Sequence, residues 1–308
     1  MCRVTWQNWR GDCFRNRLKI DDMALNKQVF RTRAISALFF VAIMLAGLLW
    51  NTWSFLALFL IIHAGCWWEY VKLIEKIENI KVHSWVILGC VTAGMAIMLS
   101  FCGDAYRINQ FSLRSNLVLP LSLAGFVLLA MGILHKQTSI TIRGFALLSL
   151  GFAYISLSWG MMLGLRQVGI GFLFGDIGWL VPVLLIASIW INDTMAYLVG
   201  SFIGKTPLSP VSPKKTWEGT IGGAVLAIIA VALLAKFAFN TNWLFAIAIP
   251  FLGAVVGTLG DLLESKLKRL ADVKDSGNMM PGHGGFLDRF DSMILATPVV
   301  WVFVQIFG

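Results

Sequence analysis

Nine long apolar stretches, separated by short polar segments, dominate the sequence. A helix that crosses a membrane needs about 20 predominantly apolar residues, because the hydrocarbon core of a bilayer is roughly 30 Å thick. The stretches that meet this requirement lie at approximately 33–50, 53–70, 84–102, 117–134, 144–165, 178–203, 219–239, 243–260 and 290–307. We therefore expect an all-α polytopic membrane protein with about nine transmembrane helices, the first two of which form a tight hairpin.

The composition supports a membrane protein and excludes three other classes. Hydrophobic residues make up 58% of the chain and charged residues only 13%, whereas an ordinary soluble domain carries about 25% charged residues. So few charges could not cover the surface of a soluble globular protein, nor do they suit a disordered protein or a nucleic-acid-binding module. The five cysteines include no CxxC pair, so we predict no structural disulfide.

The basic residues predict the orientation in the membrane. With a cytoplasmic N-terminus, 21 of the 25 lysines and arginines fall in cytoplasmic segments, and the exceptions are Arg107, Arg114, Arg166 and Lys236. Cytoplasmic loops carry such an excess, so we expect the N-terminus inside and the C-terminus outside. The predicted units are a basic cytoplasmic tail without a signal peptide (1–32), helices one to three (33–116), helices four and five (117–176) and a C-terminal catalytic unit (177–308).

The first polar cluster follows the eighth apolar stretch. Four residues spaced i, i+3, i+4 and i+7 share one helix face: Asp261, Glu264, Ser265 and Lys268. Asp288 and Asp291, three residues apart, share a face where the ninth stretch begins. Carboxylates from two helix ends suit a hard divalent cation such as Mg²⁺. The alternative is a solvated basic loop, which would leave these carboxylates and the glycines around His283 unexplained. Those glycines would let the backbone approach a ligand closely.

The second and third clusters precede the seventh stretch. Lys214 and Lys215, flanked by the hydroxyls of Ser212 and Thr216, predict an anion site at a helix start. A basic cytoplasmic loop with a threonine-capped helix is the alternative, and Glu218, a carboxylate entering a span, favours function. The third cluster pairs Asp193 with Tyr197, four residues apart; a polar contact between helices remains open as its alternative.

The run 265–291, Ser-Lys-Leu-Lys-Arg-x4-Lys-Asp-x-Gly-x2-Met-Pro-Gly-His-Gly-Gly-Phe-x-Asp-Arg-Phe-Asp, closely resembles the signature of the phosphatidate cytidylyltransferase (CDP-diacylglycerol synthase) family. The Asp193/Tyr197 segment and the Ser212–Gly219 segment are similar to that family in the same order. Met280 is a small departure, since another apolar residue is common there. The resemblance covers about 189–292, and the earlier stretches match only as generic hydrophobic helices.

The resemblance implies a reaction in which CTP and phosphatidate give CDP-diacylglycerol and pyrophosphate. It also implies Mg²⁺, a second, monovalent cation such as K⁺, and a homodimer whose site lies at the cytoplasmic face of a bacterial-type inner membrane. We expect Asp261 and Asp288 to hold the metal, supported by Asp291 and Glu264. The catalytic set is expected to be completed by Lys214, Lys215, Ser265, His283 and Arg289. The substrate-binding set is expected to be Ser212, Thr216, Glu218, Asp193, Tyr197, Lys268, Arg269, Lys274 and Asp275.

Two other functions remain open. A lipid kinase that uses CTP would share the membrane setting and the substrates, but it would transfer the γ-phosphoryl group and release CDP. A secondary transporter would also place acidic residues in its spans, but it predicts broken helices at the membrane midplane and inverted repeats. The polar residues here gather instead at one face of the predicted bundle.

Overall fold

Helices account for most of the chain. The structure, a computed structural model, describes residues 27–136, 138–167, 178–277 and 284–308, with side chains from residue 36 onward. The helices are α1 (Lys27–Leu49), α2 (Thr52–Glu78), α3 (Ser84–Ser100), α4 (Leu113–Leu134), α5 (Ile142–Gly151), α6 (Ser158–Gln167), α7 (Leu180–Ile203), α8 (Trp217–Phe239), α9 (Trp243–Leu270) and α10 (Leu287–Phe307). A π-helical segment, Phe152–Leu157, joins α5 to α6.

Seven helices in the described part of the chain are long and apolar enough to cross a membrane. They are α2, α4, the continuous α5–α6 helix, α7, α8, α9 and α10. Two shorter apolar helices, Ser36–Leu49 within α1 and Ser84–Ser100 (α3), occupy the remaining predicted stretches. All nine apolar stretches therefore fall on helices, and the chain is a multi-pass membrane protein.

The turn between α1 and α2 is set by local hydrogen bonds. Oδ1 of Asn51 accepts from the backbone N–H of Ser54 at 2.7 Å, and Oγ of Ser54 accepts from the backbone N–H of Asn51 at 3.0 Å. This reciprocal capping box satisfies two donors at the start of α2. Gly47 of α1 packs directly on Leu58 of α2, because it has no side chain. The two helices form the expected tight hairpin.

The structure confirms the all-α class and adds two short antiparallel hairpins that were not predicted. Strands β1 (Arg107–Ile108) and β2 (Phe111–Ser112) form one of them. Strands β3 (Pro207–Ser209) and β4 (Ser212–Thr216) form the other, with Ser209 opposite Ser212. The lysine pair therefore lies on a strand that leads into α8, rather than at the helix start. Pairing with β3 explains the difference, since it extends the backbone of β4 up to the cap of α8.

An aromatic core joins the two halves of the molecule. Buried Phe59 of α2 contacts Trp159 of α6 with ring centroids 5.2 Å apart, and Trp159 contacts Phe290 of α10 at 5.7 Å. Helix α2 also packs against α9 and α10. Close packing continues between α7 and α8, where Gly223 lies against the backbone of Ala196. These contacts bring the end of α9, the start of α10 and the β3–β4 hairpin into one region.

Candidate active site

Three carboxylates meet where α9 and α10 pack together. Asp261 and Glu264 lie one turn apart on α9, Asp291 lies on α10, and one oxygen of each lies within 4.8 Å of the others. We call these three residues the acidic trio. Glu264 is fully buried and Asp291 is 8% exposed. Gly260 allows the approach, because a Cβ there would lie 2.6 Å from the carbonyl oxygen of Asp291.

Two lysines partly neutralise the trio. The Nζ atom of Lys268 lies 2.5 Å from Oε2 of Glu264, and Lys215 forms an ion pair with Asp261. Burial lowers the pKa of Lys215 from its ordinary value, against the opposing effect of the Asp193 and Asp291 carboxylates. Oε1 of Glu264 is buried and has no hydrogen-bond partner among the described residues. A buried carboxylate oxygen without a partner is costly, and a cation bound by the trio would satisfy it.

Asp288 lies outside the trio, which differs from the expectation that it holds a metal with Asp261. Its Oδ1 accepts from Nζ of Lys268 at 2.6 Å. Its Oδ2 accepts from the backbone N–H of Ser276 at 2.9 Å, from Oγ of Ser276 at 3.0 Å and from the N–H of Gly285 at 2.8 Å. Asp288 therefore ties the end of α9 to the start of α10.

A cavity of about 440 Å³ adjoins the trio and brings the other two clusters to it. The residues that line it come from α7, β4, α8 and α9: Asn192, Asp193, Ala196, Tyr197, Gly200, Ser201, Ser212, Lys214, Lys215, Thr216, Thr220, Thr258 and Asp261. Asp261 thus belongs to both the cavity and the trio. Ser265 lies beside it, with its Oγ donating to Oδ1 of Asp261 at 3.4 Å. The arrangement places ammonium groups and hydroxyls next to a cluster of carboxylates.

Thr216 and Glu218 have structural partners. Oγ1 of Thr216 accepts from the N–H of Gly219 at 3.2 Å, which confirms the threonine cap of α8. Glu218 does not line the cavity; its carboxylate accepts from the N–H of Thr206 at 3.1 Å, from the hydroxyl of Thr206 at 2.8 Å and from the N–H of Lys205 at 3.2 Å. Glu218 therefore holds the turn that precedes β3.

Three of the other expected substrate-binding residues, and the expected catalytic residue Arg289, lie away from the cavity lining. Arg269 donates to the carbonyl of Val273 at 3.2 Å, where it stabilises the end of α9. Lys274 and Asp275 are exposed, and Arg289 is half-buried in the first turn of α10. The prediction for His283 falls outside the described residues.

Glu69 is a site-associated residue that the sequence analysis missed. It lies on α2 and is 6% exposed, and its carboxylate accepts hydrogen bonds from Ser276, Phe286 and Leu287. The missed signal is an acidic residue inside a predicted span, since such residues are costly in a membrane unless they serve a purpose. Its partner was not predictable, because Ser276 lies 207 positions further along the chain.

Comparison with known proteins identifies the family. A family model described as the cytidylyltransferase family matches residues 31–307. The chain belongs to the cytidylyltransferase family. The match spans nearly the whole chain, so it includes the α2 helix as well as the C-terminal helices that carry the trio and the cavity.

Several curated relatives of this family member share one name. The chain is 31% identical over 235 residues to the phosphatidate cytidylyltransferase of Staphylococcus saprophyticus, covering 75% of this chain and 84% of that protein. It is 44% identical over 122 residues to the phosphatidate cytidylyltransferase of Bacillus subtilis, covering 39% of this chain and 45% of the relative. It is 40% identical over 152 residues to the chloroplastic phosphatidate cytidylyltransferase 4 of Arabidopsis thaliana, covering 49% of this chain and 37% of the relative. The matched stretch spans less than half the length of the last two proteins.

Proposed function

We propose that the chain is a phosphatidate cytidylyltransferase of phospholipid biosynthesis, which converts CTP and phosphatidate into CDP-diacylglycerol and pyrophosphate. The observation that carries the proposal is the cavity in which Lys214 and Lys215 face Asp261, a member of the acidic trio. Both substrates are phosphate-bearing anions, and such a cavity offers them cationic side chains beside a place for a cation. The names of the curated relatives support this choice of substrates.

The chemistry requires positioning and charge neutralisation. A phosphate oxygen of phosphatidate attacks the α-phosphorus of CTP in line, the bond from that phosphorus to the bridging oxygen breaks, and pyrophosphate leaves with the electron pair. From their positions on β4, Lys214 and Lys215 hold the phosphate groups of the substrates. Ser212 and Ser265 donate hydrogen bonds to phosphate oxygens. Holding two anions in this geometry supplies a large part of the rate enhancement. A phosphate monoester is already nucleophilic near neutral pH, so no general base is required.

The acidic trio suits Mg²⁺. Mg²⁺ prefers carboxylate oxygens together with waters and substrate phosphates, and the trio offers three carboxylates, including the buried Oε1 of Glu264 that has no partner among the described residues. Bound Mg²⁺ would neutralise charge on the reacting phosphates. Asp288 supports the trio through Lys268, which bridges it to Glu264. A second, monovalent cation such as K⁺ is part of the proposal.

The proposal extends to the arrangement of the protein in the membrane. The protein spans a bacterial-type inner membrane, with the N-terminus and the active site on the cytoplasmic side and the C-terminus outside. The shorter helices α1 and α3 complete nine spans. The distribution of 21 of the 25 basic residues supports this orientation. The C-terminal part, from 177 to 308, carries the catalytic residues, and two copies form a homodimer. Labelling of single cysteines from either side of intact vesicles tests the topology, and cross-linking tests the dimer.

The reaction is tested with purified full-length protein in detergent, supplied with CTP, phosphatidate and Mg²⁺. We expect equal amounts of pyrophosphate and CDP-diacylglycerol, and a loss of both with EDTA or with Asp261→Asn. Asp104→Asn is the control, because the Asp104 side chain is 99% exposed and lies outside the cavity. Release of CDP with a phosphorylated lipid would instead identify a lipid kinase, and the absence of any CTP-dependent product would refute the proposal.

A further inference from the structure

Glu69 accepts hydrogen bonds from residues on both sides of the segment 277–285, which precedes α10 in the chain. Oε1 of Glu69 accepts from the backbone N–H of Phe286 at 2.8 Å, and Oε2 accepts from the N–H of Leu287 at 2.9 Å. Oε2 also accepts from the hydroxyl of Ser276, before the segment, at 2.7 Å. One side chain of α2 therefore connects the residues that follow α9 to the first residues of α10.

Glycines surround this contact and make it possible. A Cβ on Gly277 or on Gly285 would lie 2.2 Å from a carboxylate oxygen of Glu69. A Cβ on Gly65, one turn before Glu69 on α2, would lie 2.3 Å from the ring of Phe286. A real Cβ cannot approach so closely, so three glycines keep open the space that the carboxylate and the ring occupy. The fit indicates a contact built into the fold.

The charge of Glu69 is balanced by backbone dipoles. Among the described residues, no lysine or arginine forms an ion pair with its carboxylate. The two N–H groups that bind it are those of Phe286 and Leu287, at the N-terminus of α10. The first N–H groups of a helix have no partner within the helix and carry a partial positive charge, so they favour an anion. Glu69 thereby fixes the position of the start of α10.

The start of α10 also carries the carboxylates of the site. Oγ of Ser276 lies 2.7 Å from Oε2 of Glu69 and 3.0 Å from Oδ2 of Asp288, so the two carboxylates share its single hydroxyl proton. Asp288 binds Lys268, which pairs with Glu264 of the acidic trio. A continuous chain of polar contacts therefore runs from α2 to the trio.

We propose that Glu69 is a positioning residue of the active site: it anchors the start of α10 and so sets the position of the α10 carboxylates relative to those of α9. This inference rests on the proposed function for its activity readout. It assigns a role in the site to the N-terminal half of the molecule, although Glu69 belongs neither to the acidic trio nor to the cavity lining.

The test compares Glu69→Gln with Glu75→Gln. In Glu69→Gln the amide keeps one acceptor oxygen and turns an NH₂ group towards another donor, so the N–H of Phe286 or of Leu287 loses its acceptor. Glu75 is a matched control: it lies on the same helix, and its Oε1 accepts from the N–H of Val82 at 2.9 Å, away from the site. Removing a residue that supports metal ligands typically costs about 10- to 100-fold in metal affinity or activity.

We expect Glu69→Gln to raise the Mg²⁺ concentration for half-maximal activity by about 10- to 100-fold, with activity partly restored by excess Mg²⁺. Hydrogen exchange should accelerate at the amides of Phe286 and Leu287, and Glu75→Gln should change neither measurement. Ser276→Ala, which removes only the connecting hydroxyl, should shift the Mg²⁺ midpoint in the same direction and serves if Glu69→Gln does not fold. The inference is overturned if folded Glu69→Gln has an unchanged Mg²⁺ midpoint, or if Glu75→Gln shows the same shift as Glu69→Gln. If Glu69→Gln does not fold, an unchanged midpoint in Ser276→Ala overturns it instead.

The two proposals fail in different ways. If the wild-type protein forms no CDP-diacylglycerol, the proposed function fails, and the exchange of the Phe286 and Leu287 amides still tests the anchor. If the wild-type protein is active and the exchange in Glu69→Gln matches that of wild type, the anchor fails and the proposed function stands.

Discussion

Replacing Gly260 with alanine tests whether the approach of α10 to α9 sets the geometry of the site. A Cβ at position 260 would lie 2.6 Å from the carbonyl oxygen of Asp291, whereas ordinary contact begins at 3.4 Å. The start of α10 would therefore have to move by about 0.8 Å, the difference between these two distances. Asp291 sits on the segment that moves, so its carboxylate would leave its place beside Asp261 and Glu264.

The expected effect on catalysis follows from that displacement. A misplacement of about 1 Å in a reacting arrangement can cost roughly 100-fold in rate, so we expect Gly260→Ala to lower kcat/KM by about 10- to 100-fold. The assay is CDP-diacylglycerol formation in detergent over a range of Mg²⁺ concentrations, with the folded fraction measured by size-exclusion chromatography.

Gly257→Ala is the matched control for this experiment. Gly257 lies on α9 one turn earlier, and a Cβ there would meet Ile189 and Ser292 at 3.4 Å, which is ordinary contact. Both substitutions gain the same helix propensity, so the difference between their activities isolates the clash with Asp291, Ser292 and Leu295 of α10. Equal activities in folded Gly260→Ala and Gly257→Ala would refute the reasoning.

Three further predictions test the network around the site. Asp291→Asn should raise the Mg²⁺ midpoint more than Asp288→Asn, because only Asp291 belongs to the acidic trio; the reverse order in Mg²⁺ titrations would favour the expectation from sequence. Lys268→Met leaves Glu264 and Asp288 without their shared cation, so it should lower the free energy of unfolding in EDTA by about 3–5 kcal/mol. Lys72→Met, which removes a 44% exposed lysine from its ion pair with Glu75, should cost at most about 1 kcal/mol. Chemical denaturation in detergent measures both, and similar losses would contradict the assignment. Glu218→Gln should accelerate amide exchange at Thr206, and unchanged exchange would show that Glu218 does not hold that turn.

The predicted helices follow from local patterns. A long apolar stretch can satisfy its backbone hydrogen bonds within a membrane by forming a helix, so all nine stretches could be read directly and all nine fall on helices. The spacing of Asp261 and Glu264 placed them on one face for the same reason, because helix periodicity relates residues three and four apart. The β3–β4 hairpin was missed because its strands are short and its pairing joins residues that no periodicity relates.

The choice between Asp288 and Asp291 depends on tertiary contacts. Both share one face of α10 at a spacing of three residues, so periodicity treats them alike. In the structure Asp288 receives the N–H groups of Ser276 and Gly285, next to Gly284 at a left-handed φ of 81°. Asp291 faces Asp261 and Glu264 instead. Only the folded backbone around the start of α10 assigns the two carboxylates to different partners.

The sequence by itself determined the membrane class, the approximate helices and the polar clusters, because hydropathy and helix periodicity act over a few neighbouring residues. The family resemblance of residues 265–291 was also visible in the sequence alone, and it agrees with the match to the family model. The tertiary structure alone decided which carboxylates meet and which residues line the cavity. It also brought Glu69 of α2 into contact with the start of α10. Those decisions depend on distances of a few ångströms between helices far apart in the chain, and the absence of a side chain at Gly260, Gly277 or Gly285 permits them.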